Sequence, residues 1–353
     1  MICPECHTPN PDQAESCAEC SHNLLDSGPV ERTPGAEVSA TMTVDGPATL
    51  KEWAQSQVGG PRALSLVLPE GLKIGQRYKV LRLLGVGGMG TVYRVHDREL
   101  DRDVALKLIR SEIAENATTL SRFKREIQIS HRVTHKNVLR VYDLGEADGI
   151  KFLTMQFVDG RDLSTILKKQ GKLPTERLLK LFRQVAEGLK AAHDQGVIHR
   201  DLKPQNIMID SHDHVYVTDF GLAKHAEQSG MTQTGAVIGT PFYMSPEQVK
   251  GETVDQRSDI YALGVILYQM AAGVVPFSGG TPFEIMMKRV QRPAQPVVEL
   301  NAELPRYVQK VIERCMAVDA SLRYQNVAEI LEDLDAENVR TSLRYTAHSR
   351  RSA

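Results

Sequence analysis

Between residues 78 and 96, glycines interrupt two stretches of strand-like alternation, Tyr78–Leu84 (YKVLRLL) and Gly90–His96 (GTVYRVH). A period of two is the pattern of a half-buried strand. Gly85-Val86-Gly87-Gly88-Met89-Gly90-Thr91-Val92 is therefore expected to close a β-hairpin. This placement constrains the fold more than the glycines themselves do. The same G-x-G-x-x-G spacing marks a dinucleotide-binding turn only where it opens a helix and an acidic residue follows about twenty positions on. A glycine hairpin is instead a flap, whose backbone amides can approach phosphate oxygens closely.

The rest of the chain extends this pattern. Val104–Ile109 (VALKLI) reads as a third strand, Leu120–Arg132 as a helix, and Val138–Leu144 and Phe152–Val158 as further strands. Beyond Gly160 the pattern is mainly helical, with Thr175–His193 the longest clear case. A strand-rich half followed by a helix-rich half predicts an α+β protein of two lobes. Ile260–Phe283 carries no charge, but its apolar part ends at Val275 and contains Gln269, and Pro276, Gly279, Gly280 and Pro282 follow. That is short of the roughly 20 apolar residues a bilayer requires, so a buried core helix is expected and no membrane span. Lys plus Arg number 43 and Asp plus Glu 44, giving a net charge of −1. Such a balance exerts no global pull on nucleic acid or anionic lipid. The opening residues lack a basic then apolar secretory signal, and a cytoplasmic protein is expected.

Four of the five cysteines fall in the first twenty residues, as Cys3-x-x-Cys6 and Cys17-x-x-Cys20. Two such pairs can supply four thiolates to one tetrahedral structural Zn²⁺. About two dozen residues cannot build a core, so this module would fold on its metal. A redox dithiol would need a thioredoxin-like βαβ unit, and disulfides belong to oxidising compartments. His7 and His22 read as surface histidines once four thiolates close the shell. A closed shell leaves no catalytic position, so the zinc ribbon of residues 1–24 is expected to be structural or to dock a partner. Residues 25–73, rich in Gly, Pro, Ser, Thr and Ala, read as a flexible linker. Residues 337–353 read as a basic tail.

Ala105-Leu106-Lys107 puts a lysine on the third strand, and Glu126 lies in the following helix, within Arg122-Phe123-Lys124-Arg125-Glu126. His199-Arg200-Asp201-Leu202-Lys203-Pro204-Gln205-Asn206 and Asp219-Phe220-Gly221 follow. With the glycine flap these form an ordered signature set. Over about residues 77 to 335 the sequence resembles the Hanks-type Ser/Thr protein kinases of bacteria. Met244-Ser245-Pro246-Glu247 stands where that family has Ala-Pro-Glu, Ser258–Gly264 is similar to its central buried helix, and Arg323 matches the arginine that pairs with the glutamate, here Glu247.

The resemblance implies a bilobal kinase domain over 74–336, with a β-rich small lobe to about 158 and an α-rich large lobe from about 159. It implies ATP and Mg²⁺, with Mn²⁺ as an alternative ion. Asp201 would orient the acceptor hydroxyl, Lys203 would stabilise the transferred phosphoryl group, and Asn206 and Asp219 would hold Mg²⁺. Lys107 would anchor ATP with Glu126 fixing it. Gly85 to Val92 would cover the phosphates, and Leu84, Val92, Ala105 and Met208 would sandwich adenine. Met155 would be the gatekeeper, followed by the hinge Gln156-Phe157-Val158, whose backbone at Gln156 and Val158 would meet the ring. His199 carries no acid–base role.

Lys203 and Gly239-Thr240-Pro241 resemble features of kinases acting on Ser/Thr, with tyrosine as the alternative acceptor. Arg200 before Asp201 implies activation by a phosphorylated loop, for which Thr232 and Thr234 are the candidates; a phosphate there adds about −1.5 to −2 charge. Back-to-back dimerisation of the small lobe is a further family trait. The competing readings are a pseudokinase-type scaffold, opposed by the intact Lys107, Asp201, Asn206 and Asp219, and a small-molecule kinase, opposed by the Ser245-Pro246-Glu247 platform.

Overall fold

The structure, a computed structural model, describes residues 68–87, 90–109, 132–220 and 241–339, with the helical positions Ser121, Lys124 and Ile127. The four-cysteine module, the linker as far as residue 67, Gly88, Met89, Glu126, Thr232, Thr234 and the tail beyond 339 lie outside the described residues.

The small lobe is an antiparallel sheet of six strands: β1 Lys73–Ile74, β2 Tyr78–Gly87, β3 Gly90–Asp97, β4 Arg102–Ile109, β5 Val141–Ala147 and β6 Ile150–Gln156. Their spatial order is β1-β2-β3-β4-β6-β5. The period of two sorts the side chains onto two faces. Val80, Tyr93, Val95, Val104, Leu106 and Leu108 pack on one face with Leu68, Leu72 and Ile74. Ala105, Ile109, Leu153 and Met155 pack on the other, with Val92 and Val141 against them. Lys107 lies between Ala105 and Ile109 in this alternation and so shares the second face. Leu68 and Leu72 fall in the stretch read as linker, yet both are buried. The Leu68 N–H donates to Tyr93 Oη at 2.9 Å, and Val80 N–H donates to Leu72 O at 2.8 Å. The lobe therefore begins several residues before residue 74.

Strand β5 starts three residues later than its apolar pattern predicts. Val138 forms a parallel bridge to Val217 instead. Leu139 N–H donates to Val217 O and Val217 N–H to Asn137 O, both at 2.9 Å. These valines join the chain entering the sheet to the large lobe.

That lobe carries a small sheet, β7 Gly160–Asp162, β8 Ile207–Asp210 and β9 Val215–Val217. Its helices are α1 Leu163–Gln170, α2 Thr175–Asp194, α3 Pro246–Lys250, α4 Gln256–Ala272, α5 Pro282–Gln291, α6 Arg306–Cys315 and α7 Val327–Asp335. Helix α4 takes in the first half of the uncharged run, and Ile260, Leu263, Val265, Ile266, Leu267 and Met270 are fully enclosed. Burial of each such side chain contributes about 1.5–3 kcal/mol. Asp255 caps its N-terminus by accepting from Arg257 N–H, and Gly273, at φ 78°, ends it. A methyl group on Gly264 would lie 2.5 Å from Cys315 Cβ, so the glycine lets α6 approach α4. Among the described residues, no helix is long and apolar enough to cross a membrane.

Candidate active site

An ion pair joins the two lobes at the site. Lys107 Nζ on β4 lies 3.1 Å from Asp219 Oδ1, 112 residues later in the chain. Burial alone would raise the Asp219 carboxyl, but the Lys107 ammonium, its hydrogen bond and the charges of His199 and Lys203 outweigh this. The group is held below the usual carboxylate range and is anionic at neutral pH. Asp219 also sits at φ 57°, a conformation that is uncommon for a residue with a side chain and costs of order 1 kcal/mol or more.

The loop carrying Asp201 is fixed by its own polar groups. Lys203 Nζ donates to Asp201 Oδ2 at 2.7 Å, and Asn206 Nδ2 donates to Asp201 O at 2.9 Å. A 3₁₀ turn over Pro204–Asn206 presents Asn206, whose backbone O accepts from Thr218 N–H at 2.9 Å. His199 is buried, and its Nε2 lies 2.9 Å from Thr218 O. These bonds tie the Asp201 loop to the segment that carries Asp219. With the Asn206 amide nitrogen committed, its Oδ1 is the atom left for a cation. Together with an Asp219 oxygen it forms the hard-oxygen donor set that Mg²⁺ prefers. The residues present thus fit the ion.

Below the loop, the carboxylate of Asp259 in α4 holds three donors. Its Oδ2 is 2.7 Å from His199 N and 2.8 Å from His193 Nε2, and its Oδ1 accepts from Arg200 N–H at 2.8 Å. Arg200 adopts φ 65°. The sequence placed Asp259 only within a buried helix. The signal it offered was a single acid at the head of an otherwise uncharged run, which a core tolerates only where donors surround it.

Alongside, a 3₁₀ turn at Pro241–Tyr243 leads into α3. Tyr243 Oη donates to Gln269 Oε1 at 2.7 Å, which gives the glutamine inside the apolar part of the uncharged run a partner. The buried Arg289 of α5 donates to Phe242 O at 2.7 Å. Ser245 caps α3, and Gln248 closes a reciprocal capping box. Arg323 reaches both oxygens of Glu247 at 2.8 and 2.9 Å, and Ser258 Oγ donates to it at 2.5 Å. Burial would raise the Glu247 carboxyl, but these donors hold it at about 2.

On the flap, a methyl group on Gly90 would meet Leu108 O at 1.8 Å, and the residue sits at φ 153°. Gly85 has nothing within 4 Å of such a methyl. Gly90 is thus demanded by strand β4, whereas Gly85 faces open space. Leu84 and Val86 are exposed, and Ala105 and Met155 are buried as neighbours in register across β4 and β6. The Gln156 N–H is taken by Arg140 O at 2.9 Å, so any adenine contact of Gln156 falls to its other atoms. The Arg94 guanidinium lies 4.5 Å over the Phe157 ring.

The family model described as the protein kinase domain matches residues 78–334, which contain all of these groups. The chain belongs to the protein kinase family. As a kinase domain it is 39% identical over 264 residues to a probable serine/threonine-protein kinase of Clostridium acetobutylicum, covering 75% of this chain and 40% of that protein. It is 36% identical over 267 residues to the serine/threonine-protein kinase PrkC of Bacillus subtilis, covering 76% and 41%. The chain thus spans about two-fifths of the length of these curated relatives. Among solved structures, the kinase domain of PknI from Mycobacterium tuberculosis superimposes with a TM-score of 0.60 at 29% identity, covering 76% of this chain and 99% of that one.

Proposed function

We propose that this chain is a Mg·ATP-dependent protein kinase that transfers the γ-phosphoryl group to Ser or Thr hydroxyls of proteins. The observation that carries the reading is the meeting of Lys107 and Asp219 across the lobes beside a loop in which Lys203 and Asn206 both bond Asp201. Phosphoryl transfer needs little from a protein beyond positioning and charge neutralisation. Mg²⁺, when bound, neutralises phosphate charge, and Asp219 and Asn206 are the residues that would hold it. Lys107 supplies a fixed cation for the ATP phosphates. Asp201 accepts a hydrogen bond from the acceptor hydroxyl and aims it at phosphorus. Lys203, already 2.7 Å from Asp201, offers positive charge to the group in flight. Leu84, Val92, Ala105, Met155 and Met208 provide the apolar adenine slot, and the Ser245-Pro246-Glu247 platform seats the acceptor. In this reading, autophosphorylation of Thr232 or Thr234 places a phosphate toward Arg200.

The reading extends to the N-terminus from the spacing of Cys3, Cys6, Cys17 and Cys20 alone. Structural zinc held there would make a docking module, and it requires reduced thiols, which fits a cytoplasmic setting.

Intact-mass spectrometry with and without Mg·ATP tests the activity. Wild type is expected to gain phosphate mapped to Thr232 or Thr234, and Asp201→Asn to transfer about 10²–10⁴-fold more slowly. A wild type that binds ATP without gaining phosphate would instead support the scaffold reading. Native mass spectra of the same sample would show one zinc per chain.

A further inference from the structure

We propose that Gln248 is a positioning residue for Asp201, joining the acceptor platform and the catalytic loop through one side-chain amide. The proposal rests on the kinase reading and adds to it a residue outside the signature motifs.

Gln248 makes two bonds in opposite directions. Its Oε1 accepts from Ser245 N–H at 2.9 Å, and its Nε2 donates to Arg200 O at 2.8 Å. The partners themselves settle the orientation of the amide, because one is an N–H and the other a carbonyl. Ser245 closes the segment that begins at Pro241, where the acceptor is seated. Arg200 O belongs to the peptide group that leads directly into Asp201. That group is planar, so fixing its carbonyl fixes the plane from which the Asp201 Cα departs.

The peptide before it is fixed as well, since Arg200 N–H is held by Asp259 Oδ1 at 2.8 Å. Arg200 lies between these two anchored groups at φ 65°. A left-handed arginine persists only where its surroundings over-determine it. Asp259 provides one grip, from the floor helix, and Gln248 provides the other, from the platform. Without the second grip the Arg200–Asp201 peptide can rotate, and the Asp201 carboxylate rotates with it. Reacting groups of this kind tolerate errors of only about 0.5 Å, and a displacement of about 1 Å costs on the order of 10²-fold in rate.

An amide suits this role because it carries both an acceptor and donors. A glutamate keeps the bond from Ser245 N–H and adds favourable charge to the first turn of α3. It cannot donate to Arg200 O, and a carboxylate oxygen facing that carbonyl is repelled. Gln248→Glu therefore separates the cap from the catalytic link, and Gln248→Met, of similar length, removes both.

The test compares full-length wild type, Gln248→Glu, Gln248→Met and Asp201→Asn. It reads the single-turnover rate of phosphoryl transfer from Mg·ATP to casein and to the chain itself, beside ATP affinity and thermal unfolding. Gln248→Glu is expected to unfold within a few degrees of wild type and to bind ATP equally. Its transfer step should fall about 10- to 100-fold, with Gln248→Met at least as slow. Gln248→Glu transferring within twofold of an active wild type would overturn the proposal. So would a loss of ATP affinity and stability in step with rate, which would mark Gln248 as structural only. A wild type that transfers nothing would remove the kinase reading itself, an outcome visible before any variant is compared.

Discussion

Lys107–Asp219 and Glu247–Arg323 are both cation–carboxylate pairs between distant parts of the chain, yet they are built differently. The first is a single contact of 3.1 Å with side chains 12% and 33% exposed. The second is bidentate, with Arg323 wholly buried and Glu247 10% exposed. Arg323 also donates to the carbonyls of Ala317, Arg257 and Val318, so all five N–H donors of its fork are used. A buried pair with every donor used holds two segments in place. A pair open on one side retains capacity for other partners, as the proposed exchange of phosphate and cation requires.

The largest stability effect should come from breaking the closed pair. Arg323→Met leaves the Glu247 charge buried without its partner and should lower unfolding free energy by about 3–5 kcal/mol, measured by urea denaturation. A loss below about 1 kcal/mol would erase the distinction between the two pairs. Acid should show the same pair more gently. The Glu247 carboxyl lies at about 2 in the folded chain against an ordinary 4.5. A depressed carboxyl contributes stability that is complete above pH 4.5 and drains away as pH falls through about 2. The total is on the order of 3 kcal/mol, read as a stability–pH slope that Arg323→Met abolishes. The open pair should matter least to folding. Lys107→Met should change stability by no more than about 1 kcal/mol while ATP binding, followed with a fluorescent analogue, is lost. Equal damage to folding would mean that the cleft pair is scaffolding too.

Much of this was legible in the sequence because it is written locally. The glycine hairpin, the lysine of the third strand and the loop from His199 to Asn206 each announce themselves within ten residues. The uncharged run announced α4 in the same way. What could not be read depends on tertiary placement. Nothing near Gln248 indicates that its amide reaches Arg200, 48 residues away. Its capping box with Ser245, by contrast, is a local bond across three residues. The start of β5 was misjudged because Val138 carries a strand-like side chain but spends it on a bridge to Val217. Periodicity reports that a valine is buried, not which lobe buries it. The anchoring of Leu68 and Leu72 was hidden for a related reason, since two leucines in a Gly- and Pro-rich stretch make no period.

The tight crossing at Gly264 has a consequence for thiol chemistry. Cys315 faces that glycine with no exposure, and burial pushes its thiol up, away from the reactive thiolate. A thiol-directed alkylating reagent therefore finds no reactive thiolate in the folded large lobe, where Cys315 is the one cysteine. Every cysteine thiol alkylated without unfolding must be Cys3, Cys6, Cys17 or Cys20. Counting alkylated thiols in the native chain thus reports on the N-terminal four alone, with the fifth appearing only when α4 and α6 come apart.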